Sequence, residues 1–245
     1  MQQVLTVAGL LTDANLTPGF AAAPVAKRIL DLALLAILAP VILPVMAVVA
    51  VGIWLVSPGR VFFRQERVGL RGRRFLCYKF RTMKVDADPA THQQHLQRLL
   101  TNGAAMRKMD AARDPRLIPG GALLRATGLD ELPQLLNVLR GEMSLVGPRP
   151  CIPYEFELYP PAGSKRFETL PGLTGLWQVS GKNRTTFDEM LALDAHYVRN
   201  QSLWMDVSIL LRTPLALVQE VVDTVGSSAP SRQPQPRRLE ATLPS

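Results

Sequence analysis

The chain has 245 residues with net charge +8 and an isoelectric point of about 10.0, yet its mean hydropathy is +0.10, so it is apolar and basic at once. That pairing directs attention to a membrane surface; charge alone keeps nucleic acid open, although aromatics make up only 6% and no nucleic-acid motif is present. Its two cysteines, Cys77 and Cys151, lie far apart, which excludes a C-x-x-C metal or redox pattern and suits a reducing compartment.

Residues 1–24 combine a short apolar run, VLTVAGLL, with Ala21, Ala22 and Ala23. A signal peptide would need a basic start, which is missing, and Thr12, Asp13 and Asn15 interrupt the approach to the alanines, so the segment reads as a flexible extension. From Leu32 to Gly59 no residue is charged. These about 28 positions, at ~1.5 Å each, reach about 42 Å as a straight helix, beyond the ~30 Å hydrocarbon core. Lys27 and Arg28 precede the run and Arg60, Arg64 and Arg67 follow it, so both ends carry the signal of the cytoplasmic side. Pro40 and Pro44 each remove a helical hydrogen bond near the middle. A helix over 25–59 that dips in, bends and returns satisfies both observations; a proline-kinked spanning helix satisfies the composition equally well. Asp31 follows Arg28 and Lys27 at helical spacing, and the three are expected to pair at the interface.

VFFRQ and RFLCYKF around the Gly69–Gly72 turn read as a hairpin. It holds many more arginines and lysines than a turn needs, and Lys79 and Arg81 of YKFRTM are its candidate phosphate ligands, a solvated basic surface being the plainer alternative. Residues Asp88 to Met109 read as a polar helix in which His92 and His95 have no acidic or thiol partner for a metal. ARDPRLIPGG is a turn-rich connection.

The stretch GLDELPQLLNVLRGEMSLVGPRP, from Gly128 to Pro150, concentrates the chemistry. Pro133 is tolerated only in a first helical turn, so a helix is expected to start near Asp130, with Asp130 at or beside the N-cap, Leu132, Leu135, Leu136 and Leu139 on its apolar side, and Gly141 as its stop. Unpaired N–H groups at such a start favour a carboxylate or a phosphate; plain capping by Asp130 and Glu131 explains the same residues. Arg149 between Pro148 and Pro150 is positioned to grip phosphate oxygens or a structural carboxylate. LPGLTGLWQVSGKN offers Gly172, Gly175 and Gly181 with Lys182 and Arg184 behind them, either a phosphate loop or a glycine-rich turn around a packed tryptophan; its spacing is not that of a P-loop. Helices are expected over 187–200 and 202–222, the second with Trp204 and a kink at Pro214 and packing on the core, and residues 226–245 are expected to be disordered.

Taken together, Lys27, Arg28 and Asp31 before a proline-broken apolar run, SPGRVFFRQERVG, YKFRTM, LDELPQLLNVLRGEMSLVGPRP, PGLTGLWQVSGKN and LDAHYV resemble the bacterial sugar transferases, monotopic polyprenyl-phosphate phosphoglycosyl-1-phosphate transferases, over nearly everything from Lys27 to about Thr213. The resemblance implies a predominantly helical α/β fold with a small N-terminal β-hairpin and a re-entrant membrane helix bent at Pro40 and Pro44. Residues 60–225 would then form the catalytic domain on the cytoplasmic face of the bacterial inner membrane. It further implies that Asp130 attacks the β-phosphate of a UDP-sugar, that UMP leaves, and that polyprenyl phosphate takes the sugar phosphate from Asp130. Glu131 would hold Mg²⁺, Arg149 would bind phosphate, and Asp194 occupies the acidic position of the LDxxYV string. Two departures stand out: Lys182 where many relatives carry arginine, and Ala39 where many carry serine before Pro40. The partners implied are a UDP-sugar, polyprenyl phosphate and membrane lipids, with no nucleic acid; homo-oligomers and other glycan-assembly enzymes stay open, as does the sugar. A silent membrane-anchored adaptor and a basic nucleic-acid-binding membrane protein are the competing classes.

Overall fold

The computed structural model describes residues 24–84, 116–182 and 184–226. The N-terminal extension through residue 23, the His92 and His95 stretch and the tail from residue 227 lie outside these residues. Helix α1 (Val25–Val56) is one 32-residue helix with Pro40 and Pro44 inside it. Along its middle the side chains are apolar and open to the outside, Ile37 at 71% and Val48 at 73% exposure among them. Its buried residues lie toward the ends, with Lys27, Asp31 and Leu35 near the start and Ile53 near the finish.

Strand β1 (Phe62–Val68) pairs antiparallel with β2 (Arg74–Phe80), Phe62 opposite Phe80 and Val68 opposite Arg74. The intervening turn needs left-handed backbone, which Gly72 supplies at φ 75 and Arg71 tolerates at φ 53. Helix α2 (Gly121–Thr127) stops at Gly128, whose φ of 71 turns the chain into a short 3-10 helix, Leu129–Gln134. That runs on into α3 (Leu135–Arg140), which Gly141 stops at φ 76. Asp130 is therefore inside the first turn of a 3-10 helix rather than at its N-cap, a place taken by glycine. The expected leucine side is also only half right. Leu132 and Leu135 pack inward, Leu136 and Leu139 are exposed, and the buried positions are Pro133, Gln134, Asn137 and Val138, because the tighter 3-10 turn shifts the inward face.

Strand β3 (Ser144–Val146) lies parallel to β4 (Gly172–Thr174). The glycines of this region let backbone meet backbone: a Cβ on Gly172 would lie 2.0 Å from the Gly147 nitrogen, and one on Gly147 would lie 2.3 Å from the Leu170 carbonyl oxygen. Around the pair come α4 (Pro153–Leu158), a 3-10 stretch Pro161–Glu168, α5 (Leu176–Val179), α6 (Phe187–Asn200) and α7 (Leu203–Gly226). Helix α6 starts where a capping box forms, Glu189 N–H donating to Thr186 Oγ1 and Thr186 N–H to Glu189 Oε2.

The main core gathers Leu35, Val138, Met143, Leu145, Val146, Tyr197 and Ile209, and a second cluster joins Ile53, Phe80 and Ile118. Each end of α1 thus closes a core cluster of the same body. Burying a side chain such as Ile53, at 2% exposure, contributes about 2 kcal/mol. The expected core packing of the last helix holds for one side only. Asp206 and Ile209 of α7 are buried at 1% each, while Trp204 (80%), Leu211 (71%), Leu215 (72%), Val218 (61%) and Val222 (62%) form an exposed apolar stripe.

Candidate active site

The site grows from the break at Gly128. Because the chain re-enters helical geometry there, Asp130 and Glu131 fall in the first turn, Asp130 at 8% exposure and the Glu131 side chain at 18%. Strand β2 brings Lys79 to Glu131, Nζ to Oε1 at 2.8 Å. The proline-flanked loop after β3 brings Arg149, whose Nη2 donates to Oε1 at 2.9 Å and Nη1 to Oε2 at 3.4 Å. Burial on its own would raise the Glu131 carboxyl; Arg149 first, then Lys79 and Lys182, outweigh it and hold the group well below the usual carboxylate range. Arg149 is in turn pushed above the ordinary guanidinium value, chiefly by Glu131, with the Asp130 charge adding to it.

Asn137 sets the distance between these pieces. Fully buried, it donates to Leu76 O at 2.7 Å and to Glu142 Oε2 at 2.6 Å, and accepts from Tyr78 N–H at 3.1 Å. It replaces a strand neighbour along β2 and so locks α3, next to Glu131, against the strand that carries Lys79. Arg67, at 9% exposure, donates to Pro150 O at 3.0 Å, and Arg166, at 4%, donates to Arg149 O at 2.7 Å. Sequence reasoning passed over Asn137 and Arg166 and read Arg67 only as part of a basic flank, since each acts on backbone more than 15 positions away and leaves no local pattern. The polar residue facing inward inside LLNVLR was the one readable sign.

The remaining expected site residues divide. Lys182 reaches the site through its field on Glu131, while its Nζ is held by Glu220 Oε2 of α7 at 3.0 Å. Arg81 does not join Lys79 at Glu131: its guanidinium donates to Ser57 O and to Pro58 O, the latter at 3.3 Å, and so fastens the exit of α1. Asp194, at 2% exposure, lies against Arg166 Nη2 at 3.1 Å. Lys27, Arg28 and Asp31 do not pair among themselves at a lipid interface, because the domain offers them better partners. Lys27 Nζ meets Asp206 Oδ2 at 2.7 Å and Tyr197 OH at 3.1 Å, Asp31 Oδ1 accepts from Leu145 N–H at 3.1 Å, and Arg28 donates to Val138 O and to Leu139 O. Gly172 and Gly175 both close on Gly147, a Cβ on Gly175 lying 2.2 Å from the Gly147 carbonyl oxygen, and Trp177 is packed with its Nε1 donating to Thr185 Oγ1 at 2.7 Å.

Among the described residues no group of three His, Cys, Asp or Glu side chains converges as a metal cage. Two adjacent carboxylates are nonetheless the donor set that suits a hard cation completed by substrate oxygens and water, and an ionised carboxylate with about four lone-pair sites can take a cation beside its hydrogen bonds. What converges is thus Asp130 and Glu131 with Lys79 and Arg149, and Lys182 nearby with its own partner Glu220. A family model described as bacterial sugar transferase matches residues 22–220. The chain belongs to the bacterial sugar transferase family.

Relatives place this transferase more closely. The exopolysaccharide production protein ExoY of Sinorhizobium fredii is 42% identical over 194 residues, covering 77% of this chain and 84% of that protein. The UDP-glucose:undecaprenyl-phosphate glucose-1-phosphate transferase of Caulobacter vibrioides is 40% identical over 200 residues, 78% of this chain and 69% of the relative. The undecaprenyl-phosphate galactose phosphotransferase of Salmonella typhimurium is 42% identical over 160 residues, which make up 63% of this chain and 33% of that longer protein.

Proposed function

We propose that this transferase moves a sugar 1-phosphate from a UDP-sugar to polyprenyl phosphate, the initiating step of exopolysaccharide or other surface glycan synthesis. The observation that carries the reading is Glu131 gripped by Lys79 and Arg149 directly beside the buried carboxylate of Asp130. The names of the relatives supply the class of donor and acceptor. In the first step an Asp130 carboxylate oxygen bonds to the β-phosphorus, the bond from that phosphorus to the bridging oxygen breaks, and UMP departs with that oxygen. In the second, a phosphate oxygen of the polyprenyl acceptor bonds to the same phosphorus and the Asp130 carboxylate leaves, regenerated. Splitting one displacement into two suits a carboxylate nucleophile, and Lys79, Arg149 and Lys182 provide positive charge for the diphosphate. Glu131 would hold Mg²⁺, and the ion would supply further neutralisation of the charge on the UDP-sugar diphosphate as UMP leaves.

The acceptor is a lipid, and α1 brings the site to it as a re-entrant helix with the catalytic domain on the cytoplasmic face. Two contacts support this. Arg28 at the start of α1 is bonded to the carbonyls that end α3, and Arg81 beside Lys79 is bonded to the carbonyls that follow α1. A straight helix of 32 residues at ~1.5 Å per residue would separate those ends by about 48 Å and by a whole bilayer. Pro40 and Pro44 interrupt its hydrogen bonding where a bend is required. The exposed apolar stripe of α7 beginning at Trp204 suits the same interface.

Two measurements test these statements. Detergent-purified protein with Mg²⁺, undecaprenyl phosphate and a panel of UDP-sugars is expected to release UMP with at least one of them, and Asp130→Asn to release none; full activity in that variant would exclude the covalent step. Single cysteines placed at Val25 and at Gly59 are expected to react with an impermeant maleimide from one side of sealed vesicles, and labelling from opposite sides would sink the re-entrant topology. The native thiols do not compete, since burial raises both Cys77 and Cys151, the latter to about 12.

A further inference from the structure

The backbone of the Pro148–Pro150 loop is held from behind. Arg166, at 4% exposure, comes from the 3-10 stretch Pro161–Glu168, and its Nη2 donates to Arg149 O at 2.7 Å. Its Nη1 donates to Tyr159 OH, and its guanidinium lies 4.8 Å over the Tyr159 ring and 5.9 Å over the Phe167 ring, so the group has little freedom to turn. Asp194 reaches the same Nη2 from α6 at 3.1 Å, at an angle that makes the contact an ion pair and leaves Oδ2 without a directed hydrogen bond. The next carbonyl along, Pro150 O, is taken by Arg67 at 3.0 Å.

Two consecutive carbonyls of one loop are thus each held by a buried guanidinium, while the Arg149 side chain projects the other way onto Glu131. Burying two arginines is costly, and a loop already stiffened by two prolines does not need them for its fold alone. A guanidinium must, however, be placed within about half an ångström to make paired contacts to a carboxylate or a phosphate. We propose that Asp194 and Arg166 are a positioning pair: Asp194 orients Arg166, Arg166 fixes the Arg149 peptide, and Arg149 thereby presents its fork to Glu131 and the incoming diphosphate. The pair touches neither substrate nor reacting atoms. The inference rests on the reading of Arg149 as part of the transferase site.

The experiment uses the full chain in nanodiscs and compares Asp194→Asn, Arg166→Met and the double variant Arg166→Met with Asp194→Leu, measuring melting temperature and UMP release across UDP-sugar concentrations. Each single variant leaves a buried partner unpaired and is expected to melt lower as well as work more slowly. The double variant removes both charges together, so it is expected to regain the melting temperature of the unaltered protein while its kcat stays about 10- to 100-fold down, the scale of a misplacement near 1 Å. Recovery of kcat along with melting temperature would overturn the positioning role and leave the pair a fold element. Arg149→Ala separates the two readings: if it keeps full activity, the role given to Arg149 in the site fails, whereas if it loses activity while the double variant does not, the positioning pair alone fails.

Discussion

Two lysine–carboxylate pairs of almost equal length show how this fold separates structure from chemistry. Lys27 meets Asp206 at 2.7 Å and both side chains are 2% exposed; Lys79 meets Glu131 at 2.8 Å with exposures of 14% and 18%. Around the first pair the account is closed, with Tyr197 OH accepting from Lys27 and donating to Asp206 Oδ1 at 2.7 Å. The second is partly open and shared: Arg149 also grips Glu131, and Lys182, itself paired with Glu220 Oε2 at 3.0 Å, reaches Glu131 through its field. A neutral, sealed pair holds α1 to α7. A half-open one sets two cations on a single carboxylate. Distance says nothing about which is which; the surroundings do.

The widest separation between the two should appear when each carboxylate or lysine is removed in turn. Glu131→Gln keeps the shape and a hydrogen-bond acceptor but removes the charge, and is expected to lower UMP release by about 10³-fold or more, roughly 4 kcal/mol of barrier, with the fold retained. Circular dichroism and melting temperature measured beside the rate would show whether the loss is chemical. A variant that unfolds in step with its loss of rate would put Glu131 in the same class as Asp206 and erase the distinction.

Next in size is the sealed pair. Lys27→Met leaves Asp206 buried and unpaired and is expected to cost about 3–5 kcal/mol, lowering the melting temperature by about 10 °C. Adding Asp206→Leu removes the second charge and is expected to restore most of that loss, with the rate per folded molecule unchanged. A stable double variant that no longer transfers would show that the sealed network takes part in the reaction after all.

The same contrast explains what could be read in the sequence. Asp130 and Glu131 were visible because proline, glycine and two carboxylates in a few positions announce a helix start, and α1 was visible because no charge interrupts it. The stop at Gly141 and the span of α6 followed equally local rules. Lys27 and Asp31 were assigned to a lipid interface because their true partners, Asp206 and the Leu145 N–H, lie more than 100 positions away. Arg81 was assigned to phosphate on its proximity to Lys79, although one side chain reaches Glu131 and the other reaches the end of α1. Local chemistry was legible; the pairing of buried charges depends on how distant elements pack, and a lysine's neighbours within a few positions do not specify that.

The smallest effect is the most specific to the cations around Glu131. Arg149, Lys79 and Lys182 hold the folded Glu131 carboxyl well below the range of about 4.3 expected of the unfolded chain. A carboxyl depressed on folding contributes stability that is complete above its unfolded value and is lost as pH falls through the folded one. Because the group is partly open to solvent, that contribution is about 1 kcal/mol, or some 2–4 °C. The unaltered protein is therefore expected to melt a few degrees above Glu131→Gln at pH 7, to keep that margin down to pH 5.5, and to lose it progressively below about pH 4. No margin at pH 7 would mean that Glu131 titrates as an ordinary carboxyl. The three cations would then be answering some other charge, and the half-open pair would have no more claim on a diphosphate than the sealed one.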